Sequence, residues 1–317
     1  MACDVVVIGG INTDFLAQGD ALPSPGTSRG ADIFLECPGG KGANQAVAAA
    51  RVGVSVALIG AVGADERGQR LMTELRDEHV SLDHVATLTG HATGAALIQL
   101  DRKGTKQILA ALGANRQLDA AHVRSATQRL RHARVVVAQL EVPIEAITEA
   151  FMWARRIGAQ TVLDPAPIVP LPESLFTLVD IIRPNSSEAE ALTGVEVRNR
   201  KTAREAATAL LRKGPRCAIV QAGDEGNLVV TAHDEQWLPH IDVERRAATG
   251  AGDAFTGTFA ACLAKELPLE EAAALANAAA ALETTALGAQ SPRVSEADLR
   301  ALAQRHARSV VSKRAPA

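Results

Sequence analysis

With 317 residues, 47% of them apolar, the chain can bury one large α/β core, or a core with an appendage. Its net charge of −3 argues against nucleic acid or a membrane surface as partner, because both call for a basic field. Four cysteines (Cys3, Cys37, Cys217 and Cys262) lack CxxC spacing, the eight histidines form no cluster, and no basic leader precedes the first apolar run. These features predict a soluble cytoplasmic protein with reduced thiols and no structural zinc.

In chain order, "DVVVIGG" (4–10) is a continuous apolar run of the kind that parallel strands covered on both faces require. Asn12 and Asp14 follow it, and residues 13–38 are strand-like without a helix. "CPGGKGANQAVAAARVG" (37–53) then sets Gly39, Gly40 and Gly42 around Lys41, with Asn44 on the first turn of a helix over 41–52. The spacing is not that of a Walker A loop, and "VIGGINTD" is no dinucleotide fingerprint. It supplies tight backbone with amide and ammonium donors, suited to hydroxyls; alternatively it is a strand–helix turn with a solvated lysine.

A strand over 55–63 and a helix over 65–78 come next. Residues 92–112 carry "DRKGT", a hairpin-turn signal between two apolar arms, and are read as part of a small sheet rather than surface loops. Strands are expected over 133–141, 159–164, 179–185 and 217–223, and helices over 143–157, 201–213, 250–265, 270–286 and 295–308. The alanine-rich 272–281 stretch contains Asn277 and reads as a soluble helix; 308–317 reads as a loose tail. Strand–helix alternation implies a doubly wound, mostly parallel α/β sheet, with 13–38 and 92–112 forming a small antiparallel lid on a single domain spanning 1–317.

Glu141 ends a central strand, where ligands of such sheets gather. "RPNSSEAEALTG" (183–194) places Asn185 and Glu188 three apart, as a capping box or as a water-mediated magnesium and phosphate site. In "RRAATGAGDAFTG" (245–257), Gly250, Ala251 and Gly252 leave backbone N–H groups open at the start of a helix, an anion hole. Asp253 lies off the Phe255, Phe259 and Leu263 stripe, as an N-cap carboxylate or as a base beside developing phosphate charge.

"GGKGAN" (39–44), "PNSSE" (184–188) and "TGAGDAFTG" (249–257), in this order, resemble the signatures of the ribokinase-like (PfkB) family of carbohydrate kinases. "GINTD", "QLE" (139–141) and "DPAP" (164–167) are similar to its ribokinase branch. The resemblance implies ATP- and Mg2+-dependent phosphorylation of D-ribose, with Asp253 as catalytic base and Gly250, Ala251 and Gly252 around the transferred phosphoryl group. It implies Asn12, Asp14, Gly40, Lys41, Asn44 and Glu141 at the sugar, and Asn185 and Glu188 near magnesium and phosphates. Gln221, Gly223, Asp224, Gly226 and Asn277 would follow the nucleotide, and the lid would pair subunits in a homodimer.

Ala247 and Ala248 depart from the Asp-Thr common in the family, where the aspartate binds a monovalent cation. Thr249, Ala286 and Gly288 would remain as a weak K+ site, with Arg245, Arg246 or Glu283 as alternative sources of charge. Activation by K+ is therefore expected to be weak or absent. Phosphorylation of another sugar, a sugar acid or a nucleoside is the nearest alternative. The 3% aromatic content and absence of tyrosine tilt against a nucleoside pocket. A catalytically silent sugar-binding regulator is the alternative of another class.

Overall fold

The computed structural model describes residues 3–130, 132–247, 249–290 and 293–314. The chain opens with β1 (Val5–Ile8), β2 (Asn12–Gly19), β3 (Ile33–Gly39) and α1 (Lys41–Arg51). Next come β4 (Val56–Gly63), α2 (Glu66–Asp77), β5 (Val80–Leu88), β6 (Gly94–Asp101) and β7 (Lys106–Ala111). A 3-10 turn over Gly113–Gln117 leads to α3 (Ala120–Arg129), β8 (Val135–Gln139), α4 (Ile144–Ile157) and β9 (Gln160–Asp164). The short α5 (Glu173–Phe176) and β10 (Ile181–Ile182) precede α6 (Ser186–Thr193) and α7 (Arg200–Leu211). Finally β11 (Cys217–Gln221), β12 (Gly226–Thr231) and β13 (Glu235–Pro239) give way to α8 (Ala251–Ala264), α9 (Leu269–Glu283) and α10 (Glu296–Arg314).

Nine strands form the main sheet in the order β13-β12-β11-β10-β9-β8-β1-β4-β5, parallel except for β12 and β13. Alternation along β1 shows why its run is wholly apolar. Val5 and Val7 join one core with α1, α8 and α9, while Val6 and Ile8 join the opposite core with α3, α4 and α7. Both faces are covered, so neither tolerates a polar residue.

The helices expected from periodicity form with ends shifted by one to three residues, apart from α10. That helix continues to Arg314 through most of the segment read as a loose tail. Strand 179–185 shrinks to two residues, Ile181–Ile182, and Pro184, which lacks an N–H, limits its C-terminal side. The sequence reading missed β5, β12, β13, α3 and the short α5. Of these, β5 is an edge strand whose exposure is mixed, so it carries no continuous apolar run.

The lid is a four-stranded sheet in the order β3-β2-β6-β7. Its outer pairs are antiparallel as expected, and the central pair β2–β6 is parallel, because the α1–β4–α2–β5 excursion separates these strands. The hairpin at 101–105 closes as its sequence suggests. Asp101 Oδ1 accepts from the N–H groups of Lys103 and Thr105, each at 2.8 Å, and Gly104 takes a φ of 87°. The lid keeps Leu16, Ala96 and Ile98 buried and leaves Phe34 (66%) and Leu109 (72%) exposed. Among the described residues no helix is long and apolar enough to cross a membrane.

Candidate active site

Two helices that enter the site through glycine position its polar groups. Gly40 precedes α1 with a φ of 88°, and a Cβ there would fall 2.6 Å from the Asn12 nitrogen and the Gly10 oxygen. The start of α1 therefore presses onto the β1–β2 turn, which aims Lys41, Asn44 and Gln45 at the ends of the strands. Gly250 caps α8 with a φ of 83°, a left-handed conformation natural to glycine.

Asp253, 5% exposed in the first turn of α8, is not an N-cap: the cap residue is Gly250, and no side chain caps the helix. Its carboxylate turns to α1, where Asn44 Nδ2 and Gln45 Nε2 each donate to it at 3.0 Å and Lys41 Nζ stands 3.7 Å away. It thus points away from the apolar stripe, as its helical position predicts. Gln45 Nε2 also donates to Asp164 at 2.8 Å, and Gln45 Oε1 accepts from Gln139 at 2.6 Å. That acceptor contact fixes which end of the Gln45 amide faces the two carboxylates.

On the lid side, Glu141 accepts from the Lys41 backbone N–H at 2.7 Å and from Asn12 Nδ2 at 3.4 Å. Asn12 Oδ1 accepts in turn from Asn115 Nδ2 at 2.8 Å, and Asn115 is itself anchored to the Ile11 backbone. Asp14 on β2 is buried against Gly39, where an added Cβ would come 2.1 Å from its Cγ.

Carboxylates outnumber cations here, with visible electrostatic consequences. Burial pushes Asp14 up to about 7, helped by the charges of Glu141 and Asp253. Burial also lifts Glu141 to about 7 against the pull of Lys41, and raises Asp164 by the same balance. Burial works against the Lys41 ammonium, but Asp164, Asp253 and Glu141 outweigh it and hold its pKa above the ordinary lysine value. The result is a set of strong acceptors around one fixed ammonium, suited to a ligand rich in hydroxyl donors.

From Lys41, Asp164 and Asp253 a cleft of ≈ 440 Å³ runs past Gly250, Ala251 and Gly252 to Gln221, Gly223, Asp224 and Asn277. Gly226 lies outside it. That glycine starts β12 with a φ of 143°, and a side chain there would strike the Leu238 carbonyl at 2.1 Å, so it serves the sheet instead.

Asn185 and Glu188 form a complete capping box on α6. Both Glu188 oxygens are engaged, by the Asn185 N–H at 2.8 Å and its Nδ2 at 2.7 Å. Among the described residues no three His, Cys, Asp or Glu side chains gather as a direct metal site.

Ala247 is buried and Ala248 lies outside the described residues. Neither arginine takes the place left by a carboxylate at 247. Arg245 turns into the cleft toward Asp224, at 3.5 Å, and His240; Arg246 is exposed. Glu283, buried at the end of α9, instead brings Oε1 to 3.2 Å from the Cβ position of Gly250. Thr249 Oγ1 is buried without a hydrogen-bond partner, Ala286 is half-buried, and Gly288 rests against Cys37.

The sequence reading overlooked Gln45, Asn115, Gln139, Asp164 and Arg183. Asp164 carried a usable signal, because it ends a central strand just as Glu141 nearly does. Asn115 carried none, since it sits in a turn more than 100 residues from the asparagine it orients.

The model for the pfkB family carbohydrate kinases matches residues 3–297. A ribokinase of Mus musculus is 37% identical over 305 residues, covering 94% of each chain. One of Haemophilus influenzae is 35% identical over 287 residues, 90% of this chain and 94% of that protein. The structure of Arabidopsis thaliana ribokinase complexed with ribose and ATP superposes with a TM-score of 0.83 at 27% identity, covering 96% of this chain and 99% of that one.

Proposed function

The chain belongs to the pfkB family of carbohydrate kinases and is an ATP-dependent sugar kinase; from that premise we propose that it phosphorylates D-ribose at the 5-hydroxyl, with Asp253 as base. One observation carries the reading. The Asp253 carboxylate is buried between the amide donors of Asn44 and Gln45, at the mouth of the Gly250–Ala251–Gly252 turn. Each oxygen keeps a lone pair for a hydroxyl proton.

The 5-hydroxyl gives its proton to Asp253, and its oxygen bonds to the γ-phosphorus. The bond from that phosphorus to the departing ADP oxygen breaks, while the N–H groups at the head of α8 face the developing charge. Asp14, Glu141, Asn12 and the Lys41 ammonium hold the other hydroxyls, with Gly40 and Asn44 shaping the pocket. Asn185 and Glu188 would hold Mg2+ and the phosphates through water, and the nucleotide would extend past Gln221, Gly223 and Asp224 to Asn277.

Release of ADP with D-ribose, fructose, adenosine and 2-keto-3-deoxygluconate tests the substrate. D-ribose is expected to show the highest kcat/KM. A higher value for the nucleoside or the sugar acid overturns the ribose assignment while leaving the kinase, and no turnover with any of them returns the chain to a binding role.

The lid also supports a homodimer, since Phe34, Leu97, Ile108 and Leu109 leave apolar surface exposed on one small sheet. A monomer in sedimentation at micromolar concentration would overturn it.

Activation by K+ is expected to be weak or absent, because Ala247 offers no side-chain oxygen. Replacing sodium by potassium at matched ionic strength should leave kcat nearly unchanged. A large potassium-specific rise would mean that Glu283, beside Gly250, supplies the anionic ligand instead.

A further inference from the structure

We propose that Arg183 is a further phosphate-binding residue of this site, its guanidinium set against the anion hole at Gly252 to take charge from the polyphosphate of the nucleotide. The proposal rests on the kinase reading above.

Arg183 follows β10 at the strand ends that face the cleft, and it lines that cleft at only 7% exposure. Nη1 lies 2.7 Å from where a Cβ of Gly252 would stand, so a glycine at 252 is what allows the guanidinium to lie on the turn. The guanidinium also stands over the Phe255 ring, with 5.1 Å from Cζ to the ring centroid.

What the guanidinium lacks is an anion. Its Nε is buried without a hydrogen-bond partner, and among the described residues no carboxylate comes within ion-pair distance; Asp164 only feels its charge. A buried cation is costly unless paired, and contact with a ring face offsets only part of that cost. Of the other cations that line the cleft (Lys41, Lys106 and Arg245), Lys41 is engaged by Asp164 and Asp253, and Arg245 by Asp224 and His240. The planar fork of Arg183 therefore stands beside the open N–H groups of an anion site with donors to spare. That is the donor set phosphate oxygens match in pairs.

Calorimetry with ATP and with adenosine, on the wild-type protein, R183M and R183K, separates a phosphate contact from packing on Phe255. R183M is expected to bind adenosine like the wild type, to bind ATP roughly tenfold to hundredfold more weakly, and to lose kcat by a similar factor. R183K, which keeps the charge but not the fork, should fall between. Equal weakening toward ATP and adenosine, or unchanged ATP affinity and kcat, overturns the proposal. If R183M does not fold, R183K decides alone, since unchanged ATP affinity there also overturns it. Wild-type protein that binds ATP yet phosphorylates no sugar would instead count against the kinase reading, and the comparison of ATP with adenosine would still judge Arg183.

Discussion

Replacing Asp253 by asparagine is expected to lower kcat by roughly 10²–10⁴-fold while leaving nucleotide affinity close to that of the wild type. The substitution keeps the shape and removes the carboxylate proposed to receive the proton. Asparagine presents one oxygen and one NH2, whereas Asn44 Nδ2 and Gln45 Nε2 each donate to a different Asp253 oxygen. One of those donors must then face another donor. A modest drop in Tm should therefore accompany the loss of turnover, buffered because Gln45 Nε2 retains Asp164 as acceptor. Steady-state kinetics with ribose, calorimetry with ATP and a thermal melt together make the test. A folded variant with kcat within tenfold of the wild type would remove Asp253 as the base.

The second large effect concerns the backbone. Gly42, in the first turn of α1, lies so close to β1 that a Cβ would stand 2.5 Å from the Gly9 carbonyl carbon and 2.7 Å from its Cα. Neither neighbour can rotate away, since both belong to the main chain. The helix carrying Lys41, Asn44 and Gln45 must therefore shift outward. G42A is expected to cost about 3 kcal/mol, the upper end of ordinary overpacking, and to lower Tm by roughly 4–5 °C. Turnover should fall as well, because Asn44 and Gln45 would no longer reach Asp253. Gly30 supplies the control: nothing lies within 4 Å of its Cβ position, so G30A should melt like the wild type. A melt of G42A that matches that of G30A would show that α1 can move without cost.

Much of this was legible in the residue order. Continuous apolar runs such as "DVVVIGG" marked strands covered on both sides, and the "DRKGT" turn marked the lid hairpin. The position of Asp253 off the Phe255 stripe followed from helical geometry alone. Other elements left weaker traces. β5 sits at a sheet edge, where burial alternates unevenly, and β12 and β13 run antiparallel at the opposite edge. Gly226 had the composition of a cleft glycine, and only its contact with Leu238 across the β12–β13 pair shows that it serves the sheet.

By itself, then, the sequence determined the strand and helix periods, the two glycine turns and the acid beside the second of them. Each depends on backbone conformation or spacing within a few residues. Only the tertiary structure decided which side chains meet at that acid. Gln45 bridges Asp164 and Asp253, which lie 119 and 208 residues further along the chain, and Asn115 orients Asn12 across 103. It also turned Arg245 toward Asp224 and His240, brought Glu283 beside Gly250, and laid Arg183 against Gly252. Hydrogen bonds and charges act over a few ångströms of space, and parallel strands reach such distances through long crossovers that a local pattern does not record.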